Sequence, residues 1–348
     1  MKTVERSLVE SVKHLSGRYG GFSFGGELPD GVTTVDPLPK GTVFPNGARA
    51  ALLLTFDVEG TYSNGTGDMR LEIDNYRRIC RKLRESQVPA TFHVVGQMAE
   101  EHGPGFIEWM LEAGCEVASH GYVHDLDRRH GGDRVYAGHY GLKENLEQIR
   151  DGINAIHRFF PDTVRGVRMP YGHFNEFTYD AMEQLGVIWS SNVGIDDFLR
   201  PGQGFGSMPF RMKLGDKLYP IVEIPLDTQT YDWTIWMADE RTNRPFVDAV
   251  RTYASTRNLA FERTFSGGVA IWKERMREAV ENQTSFTLLS HPINLAPKRS
   301  GSRDPVTDFL FPVINRLHEL RQEGKAWVCT CGQMADFYRL RTGMGGNG

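Results

Sequence analysis

The chain has 348 residues, with 40 Lys and Arg against 44 Asp and Glu, a net charge of −4. That length suits two domains or one large α/β barrel, and the charge balance offers no basic stripe for a nucleic-acid partner. Hydrophobic residues at 40% and charged residues at 24% are ordinary globular usage, which excludes disorder, coiled coil and collagen for the chain as a whole.

In chain order, residues 1–20 are predicted to form one amphipathic helix. They lack the continuous apolar stretch of a secretion signal, and no apolar run reaches the roughly 18 residues of a membrane span, so a cytoplasmic protein is expected. Residues 21–48 are rich in Gly, Pro and Asp and read as an extended arm, giving a division into an N-terminal helix and arm over 1–48 and a main body over 49–342. Apolar runs then predict strands at Ala51–Phe56, Ala90–Val95, Glu116–Ser119, Gly166–Met169, Val187–Asn192, Tyr219–Ile224, Phe286–Ser290 and Ala326–Cys329. Helical spacing predicts helices at Asp74–Gln87, Gly105–Ala113, Tyr140–Phe159, Asn175–Leu185, Phe246–Tyr253, Ala270–Val280, Val306–Gln322 and Gln333–Arg339. Strands alternating with helices imply a parallel sheet covered by helices. Eight such units fit a closed barrel; a doubly wound open sheet is the alternative, without a G-x-G-x-x-G fingerprint after the first strand. Two long connections, 194–217 and 226–245, interrupt the rhythm, and the second carries Tyr231, Trp233 and Trp236. Loops this long are often lids or binding loops. The four cysteines, Cys80, Cys115, Cys329 and Cys331, are too few for a disulfide scaffold and read as buried thiols.

In a barrel the chemistry lies on the loops after the strands. The first strand ends in Asp57 and Glu59, the third runs into His120 with His124 four residues on, the fourth delivers Arg168, Pro170 and Tyr171, and the seventh ends at His291. His120 and His124 are spaced so that both imidazoles can face one cation, and two histidines plus a carboxylate make an open hydrolytic metal site. Zinc suits that donor set; nickel, cobalt and iron are compatible with the ligand types. Asp57 and Glu59 lie two apart and point the same way on a regular strand, so one can ligate while the other moves protons. Arg168 is expected to hold a carboxylate by a bidentate pair, and His291 to serve as a general acid. His93 lies within a strand and, with the remaining histidines, receives no role.

The runs Thr55-Phe56-Asp57-Val58-Glu59-Gly60, Val88-Pro89-Ala90-Thr91-Phe92, Ser119-His120-Gly121-Tyr122-Val123-His124, Arg168-Met169-Pro170-Tyr171-Gly172 and Leu288-Leu289-Ser290-His291-Pro292 occur in this order. Together they resemble the polysaccharide deacetylase superfamily (NodB homology, carbohydrate esterase family 4) over about residues 50–340. Many members carry two adjacent aspartates at the first run; here Val58 and then Glu59 follow Asp57, which resembles the branch with a Phe-Asp-x-Asp/Glu motif. That branch includes peptidoglycan-deacetylase-like proteins, cyclic imide hydrolases and allantoinase-like proteins. The resemblance implies a distorted, TIM-like (β/α) barrel of seven or eight parallel strands and a divalent metal, usually zinc, on Glu59, His120 and His124. It implies that Asp57 takes a proton from water, Arg168 orients Asp57, the Tyr171 backbone N–H helps an oxyanion, and His291, tuned by Asp196 or Asp232, protonates the leaving nitrogen. Pro170, Tyr171, Tyr231, Trp233 and Trp236 are the expected substrate contacts. The expected activity is metal-dependent hydrolysis of a non-peptide amide, foremost deacetylation of an N-acetylated sugar or small amide. Ring opening of a cyclic imide or ureide, and carbohydrate binding without catalysis, are the competing functions. The expected partner is a sugar or other small molecule, with no nucleic acid and no membrane; a homo-oligomer in which the arm packs on a neighbouring subunit stays open.

Overall fold

The computed structural model describes residues 32–60, 69–124, 140–194, 207–227, 230, 232, 235, 244–259, 264–295 and 304–344. The N-terminal helix expected over 1–20 lies outside them. Ten strands run in chain order: β1 (Val32–Val35), β2 (Ala50–Val58), β3 (Thr91–Val94), β4 (Glu116–Ser119), β5 (Gly166–Val167), β6 (Trp189–Ser190), β7 (Phe210–Leu214), β8 (Lys217–Glu223), β9 (Ser285–Ser290) and β10 (Ala326–Val328). All eight strands expected from apolar runs are present, and all eight pair in parallel. The path β8-β6-β5-β4-β3-β2 continues to β9, while β10 lies along the first half of β2. Just past β8, the Leu226 N–H donates to the Val193 carbonyl (2.9 Å) and the Asp227 N–H to the Thr287 carbonyl of β9 (3.0 Å). The second of these bonds brings the two ends of the seven-strand path together in the manner of a (β/α) barrel.

Two strands depart from expectation. Residues 194–217, read as a loop, contain β7, which forms an antiparallel hairpin with β8 across Gly215 at φ 58°. A tight hairpin turn needs that left-handed conformation, and glycine adopts it without a Cβ clash. Within the expected arm, Val32–Val35 adds antiparallel to β7 as β1. The nine described α-helices are α1 (Met69–Ser86), α2 (Gly96–His102), α3 (Pro104–Glu112), α4 (Leu142–His157), α5 (Glu176–Gln184), α6 (Arg244–Thr256), α7 (Phe265–Asn282), α8 (Phe311–Gln322) and α9 (Cys331–Thr342). Of these, α2 was not expected, and the helix predicted from Val306 opens with a π turn over Val306–Leu310 before α8.

Strand β2 shows how the sequence sorts the interior. Ala50, Leu52, Leu54, Phe56 and Val58 join the apolar layer beneath the helices. Ala51 and Leu53 join a separate cluster with Ala118, Trp189 and Val222 inside the ring of strands. The period of two then carries Thr55, Asp57 and Glu59 onto that inner side, toward the C-terminal mouth. Trp189 plugs the interior below them, fully buried. Its register partner is Gly166, where a Cβ would lie 1.9 Å from the indole ring. All four cysteines are buried and free. No helix among the described residues is long and apolar enough to cross a membrane.

Gly166→Ala should therefore force Trp189 out of its slot and destabilise the protein by at least about 2 kcal/mol, as overpacking of a filled interior does. Equilibrium urea denaturation checks this; a variant as stable as the parent would show that the indole has room to move.

Candidate active site

Glu59 follows directly on β2, and Gly60, at φ 63°, turns the chain away behind it. The run from His120 to His124 is a loop after β4, not a helical turn. The α4 residue Gln148 holds it: its side-chain oxygen accepts from the Tyr122 N–H (3.0 Å) and the Val123 N–H (3.2 Å). Helix α4 comes this close because Gly152 has no Cβ; one there would lie 2.6 Å from the Gly121 backbone.

Both imidazoles converge on one oxygen. Glu59 Oε1 lies 3.1 Å from His124 Nε2 and 3.5 Å from His120 Nε2. His120 Nδ1 lies 2.8 Å from the Arg168 carbonyl, which sets the Nδ1–H tautomer and leaves Nε2 bare toward Glu59. That buried Nε2 has no hydrogen-bond partner. An unsatisfied nitrogen, a second imidazole and a carboxylate with donor atoms within 4.8 Å of one another fit a divalent cation.

Asp57 lies beside this group, almost fully buried. Its Oδ1 accepts from Arg168 Nη1 at 2.7 Å, and its Oδ2 faces His120 Nε2 (3.9 Å) and His291 Nε2 (3.8 Å). The expected bidentate Arg168–carboxylate pair is corrected here. Only Nη1 reaches Asp57; Thr55 Oγ1 and Ser191 Oγ take Nη2, and the Ser191 carbonyl takes Nε. The guanidinium is spread over three residues because no water reaches it and every N–H needs an acceptor.

His291 leaves β9 with its ring between two acids. Asp232 Oδ1 lies 2.9 Å from Nδ1, and Asp232 Oδ2 accepts the His291 backbone N–H at 2.6 Å. Of the two aspartates the sequence left open, Asp232 is in contact with His291; Asp196 lies outside the described residues. The chain before Asp232 is tied to α7 through Trp272 Nε1, which donates to the Thr230 carbonyl at 2.5 Å, and through Arg275, 3.4 Å from the buried Asp227. Pro170 packs beside Gly121, and Tyr171, at φ 59°, sets its ring edge-on to His124 with centroids 4.6 Å apart. Tyr231, Trp233 and Trp236 lie outside the described residues.

The electrostatics separate the groups. Burial works against the charged form of Asp57, but Arg168, then the neighbouring histidines, outweigh it and bring its pKa down to about 2. Burial likewise opposes the charge on Glu59, and His124, His291 and His120 overcome it, holding the carboxyl well below its usual range. Burial alone would depress His291, yet Asp232, Glu59 and Asp57 lift it to about 10. The mouth therefore combines an ionised acid with a protonated imidazole at neutral pH, the pairing that proton transfer in both directions requires.

Sequence reasoning left one residue at the mouth without a role. His93 of β3 is the register partner of Asp57 and lies buried against it, with Nδ1 3.5 Å from Asp57 Oδ1. The signal was present: a histidine in an otherwise apolar strand, one strand away from a carboxylate.

Residues 45–188 match the sequence profile of the polysaccharide deacetylase family. A chitooligosaccharide deacetylase of Sinorhizobium fredii is 33% identical over 125 residues, which make up 34% of this chain and 52% of that protein; the match thus spans about half the relative's length. Among solved structures, a Mycobacterium smegmatis protein described as a polysaccharide deacetylase is 20% identical, with a TM-score of 0.64 over 88% of this chain and 96% of its own. An allantoinase is 16% identical, with a TM-score of 0.52 over 87% of this chain and 94% of its own. At these identities the two structures speak for the fold.

Because Arg168 neutralises an almost fully buried carboxylate, Arg168→Met should cost about 3–5 kcal/mol of stability. Urea denaturation of the variant measures that loss; a change below about 1 kcal/mol would mean that Asp57 finds another partner.

Proposed function

We propose, from the match of residues 45–188 to the polysaccharide deacetylase profile and from the geometry of the mouth, a metal-dependent hydrolase that removes N-acetyl groups from an amino-sugar oligomer of the chitooligosaccharide type. Glu59, His120 and His124 would hold the cation, for which zinc suits the two-imidazole, one-carboxylate donor set. When bound, the cation would polarise the acyl oxygen and lower the pKa of water.

The observation that carries this reading is the opposition of Asp57 Oδ2 and His291 Nε2, 3.8 Å apart, beside the Glu59 oxygen on which His120 and His124 converge. Asp57 is the base: its Oδ1 is held by Arg168, and its Oδ2 takes the proton of the attacking water. His291 is the acid: Asp232 keeps it protonated, and Nε2 gives that proton to the amide nitrogen as the sugar amine leaves. The Tyr171 N–H serves the developing oxyanion. Pro170 and the Tyr171 ring form one wall for the sugar, and Tyr231, Trp233 and Trp236 would be further substrate contacts.

Acetate release from N-acetylglucosamine oligomers tests the proposal. Purified protein should lose turnover on chelation and regain it with zinc, and His120→Ala should reduce bound metal from about one equivalent to near none. Undiminished acetate release by the metal-free chain, or ring opening of a cyclic ureide with no acetate release, overturns it.

The pH profile is a second check. Asp57 is ionised above about 2 and His291 protonated below about 10, so kcat/KM should hold across neutrality and fall as His291 deprotonates. Asp232→Asn removes a charge that raises His291, so the alkaline limb should move down, toward the imidazole's ordinary 6.5, by more than about one pH unit. An alkaline limb that stays in place in this variant would assign it to another group.

A further inference from the structure

His93 makes demands on the fold that packing does not explain. Its ring has no exposed surface, and neither ring nitrogen completes a hydrogen bond, although Asp57 and the Phe56 carbonyl lie within electrostatic reach. The ring meets Trp189 edge-on, with centroids 5.7 Å apart and planes at 85°, and the Trp189 indole nitrogen has no hydrogen-bond partner either. Buried polar atoms left unsatisfied are costly, and an apolar ring of the same shape would fill the slot without that cost. What sets the imidazole apart from such a ring is an N–H that can be aimed at a neighbour, and Asp57 Oδ1 lies 3.5 Å from Nδ1.

The Asp57 carboxylate needs a second restraint. Arg168 reaches it through one nitrogen on one oxygen, and a single contact leaves the group free to swing about its Cβ–Cγ bond. His93 approaches the same Oδ1 from the neighbouring strand, where β2–β3 pairing sets Asp57 and His93 side by side on the inner face. At 3.5 Å this is an electrostatic contact longer than a full hydrogen bond, and it acts on orientation. Burial, and then the Arg168 charge, keep the ring neutral, so it restrains the carboxylate without adding a charge.

We propose that His93 is a positioning residue for Asp57: its ring turns Nδ1–H toward Oδ1, so that Arg168 and His93 together fix that oxygen and leave Oδ2 facing the reacting water. This rests on Asp57 as the base of the proposed hydrolase. His93 touches neither substrate nor cation.

The test compares metal-loaded wild type with His93→Phe and His93→Asn. His93→Phe should bind the same amount of metal, melt at a higher temperature and keep KM within about twofold, while kcat drops about tenfold, the scale of a lost orienting contact. His93→Asn, whose amide N–H can stand in for Nδ1–H, should recover part of that kcat while melting below the phenylalanine variant. A purely structural histidine would give the reverse: lower stability in His93→Phe and an unchanged kcat. A wild-type kcat in His93→Phe overturns the proposal and leaves the hydrolase reading intact. A readout independent of turnover is the long-range proton–nitrogen NMR spectrum of the imidazoles. It should show His93 neutral and protonated on Nδ1; a proton on Nε2 instead overturns the proposal even if the chain releases no acetate, a result that would by itself count only against the hydrolase reading.

Discussion

Arg168 acts on the site through both of its ends. Its guanidinium, with no exposed surface, clamps Asp57 Oδ1, and its carbonyl receives His120 Nδ1. The first contact fixes the acid that would take a proton, and the second fixes the imidazole that would bind a cation. Because both originate in one residue at the end of β5, the spacing between them follows from the sheet rather than from a loop. A charge buried this deeply is tolerable only when it is fully paired, and Thr55 and Ser191 complete the set of acceptors. The inner faces of β2, β5 and β6 are thereby committed to polar residues at the level where a barrel core would otherwise continue.

That commitment leaves an imbalance at the mouth. The carboxyl groups of Asp57, Glu59 and Asp232 face two cationic groups, Arg168 and the lifted His291. One negative charge in excess, in a buried pocket where two imidazole nitrogens also converge on Glu59, is a configuration that a divalent cation relieves. Below, the interior returns to apolar packing at Trp189, Ala118 and Leu53. The site is thus a polar lid on an apolar plug, and His93 lies at the boundary, in contact with both.

Much of this was legible in the sequence, for physical reasons. The eight parallel strands were visible because strands buried on both faces read as apolar runs. The residues just beyond them were informative because barrel chemistry collects at strand ends. Asp57 and Glu59 could be assigned to one face from the period of two alone. Strand β7 was missed because Phe210-Arg211-Met212-Lys213-Leu214 is short, alternates with cations and lies among glycines and prolines; alternation there marked a half-buried antiparallel strand. Helix α2 was missed because it is seven residues long and has no side-chain cap. The contact of Asp232 with His291, and the orientation of His93, depend on which strands become neighbours when the ring closes, and no local pattern encodes that. The Arg168 fork was misjudged for the same reason, since Thr55 and Ser191 compete for it from strands far away in sequence.

The same long range governs how the site is held together. Among the described residues, three segments at the mouth are pinned by side chains from different elements. Gln148 of α4 holds the histidine loop, and Arg275 and Trp272 of α7 anchor the approach to Asp232. Glu223 of β8 accepts the N–H groups of Asn192 and Val193 together with the Tyr179 and Ser190 hydroxyls. Burial raises the Glu223 carboxyl above its usual range despite these four donors. Asn192 in turn accepts the Met169 N–H at 2.8 Å, next to Arg168. The buried carboxyl on β8 therefore supports, two strands away, the residue that orients both Asp57 and the first imidazole. A mouth built this way derives its precision from regular elements and their supporting contacts, which is what chemistry sensitive to displacements well below 1 Å demands.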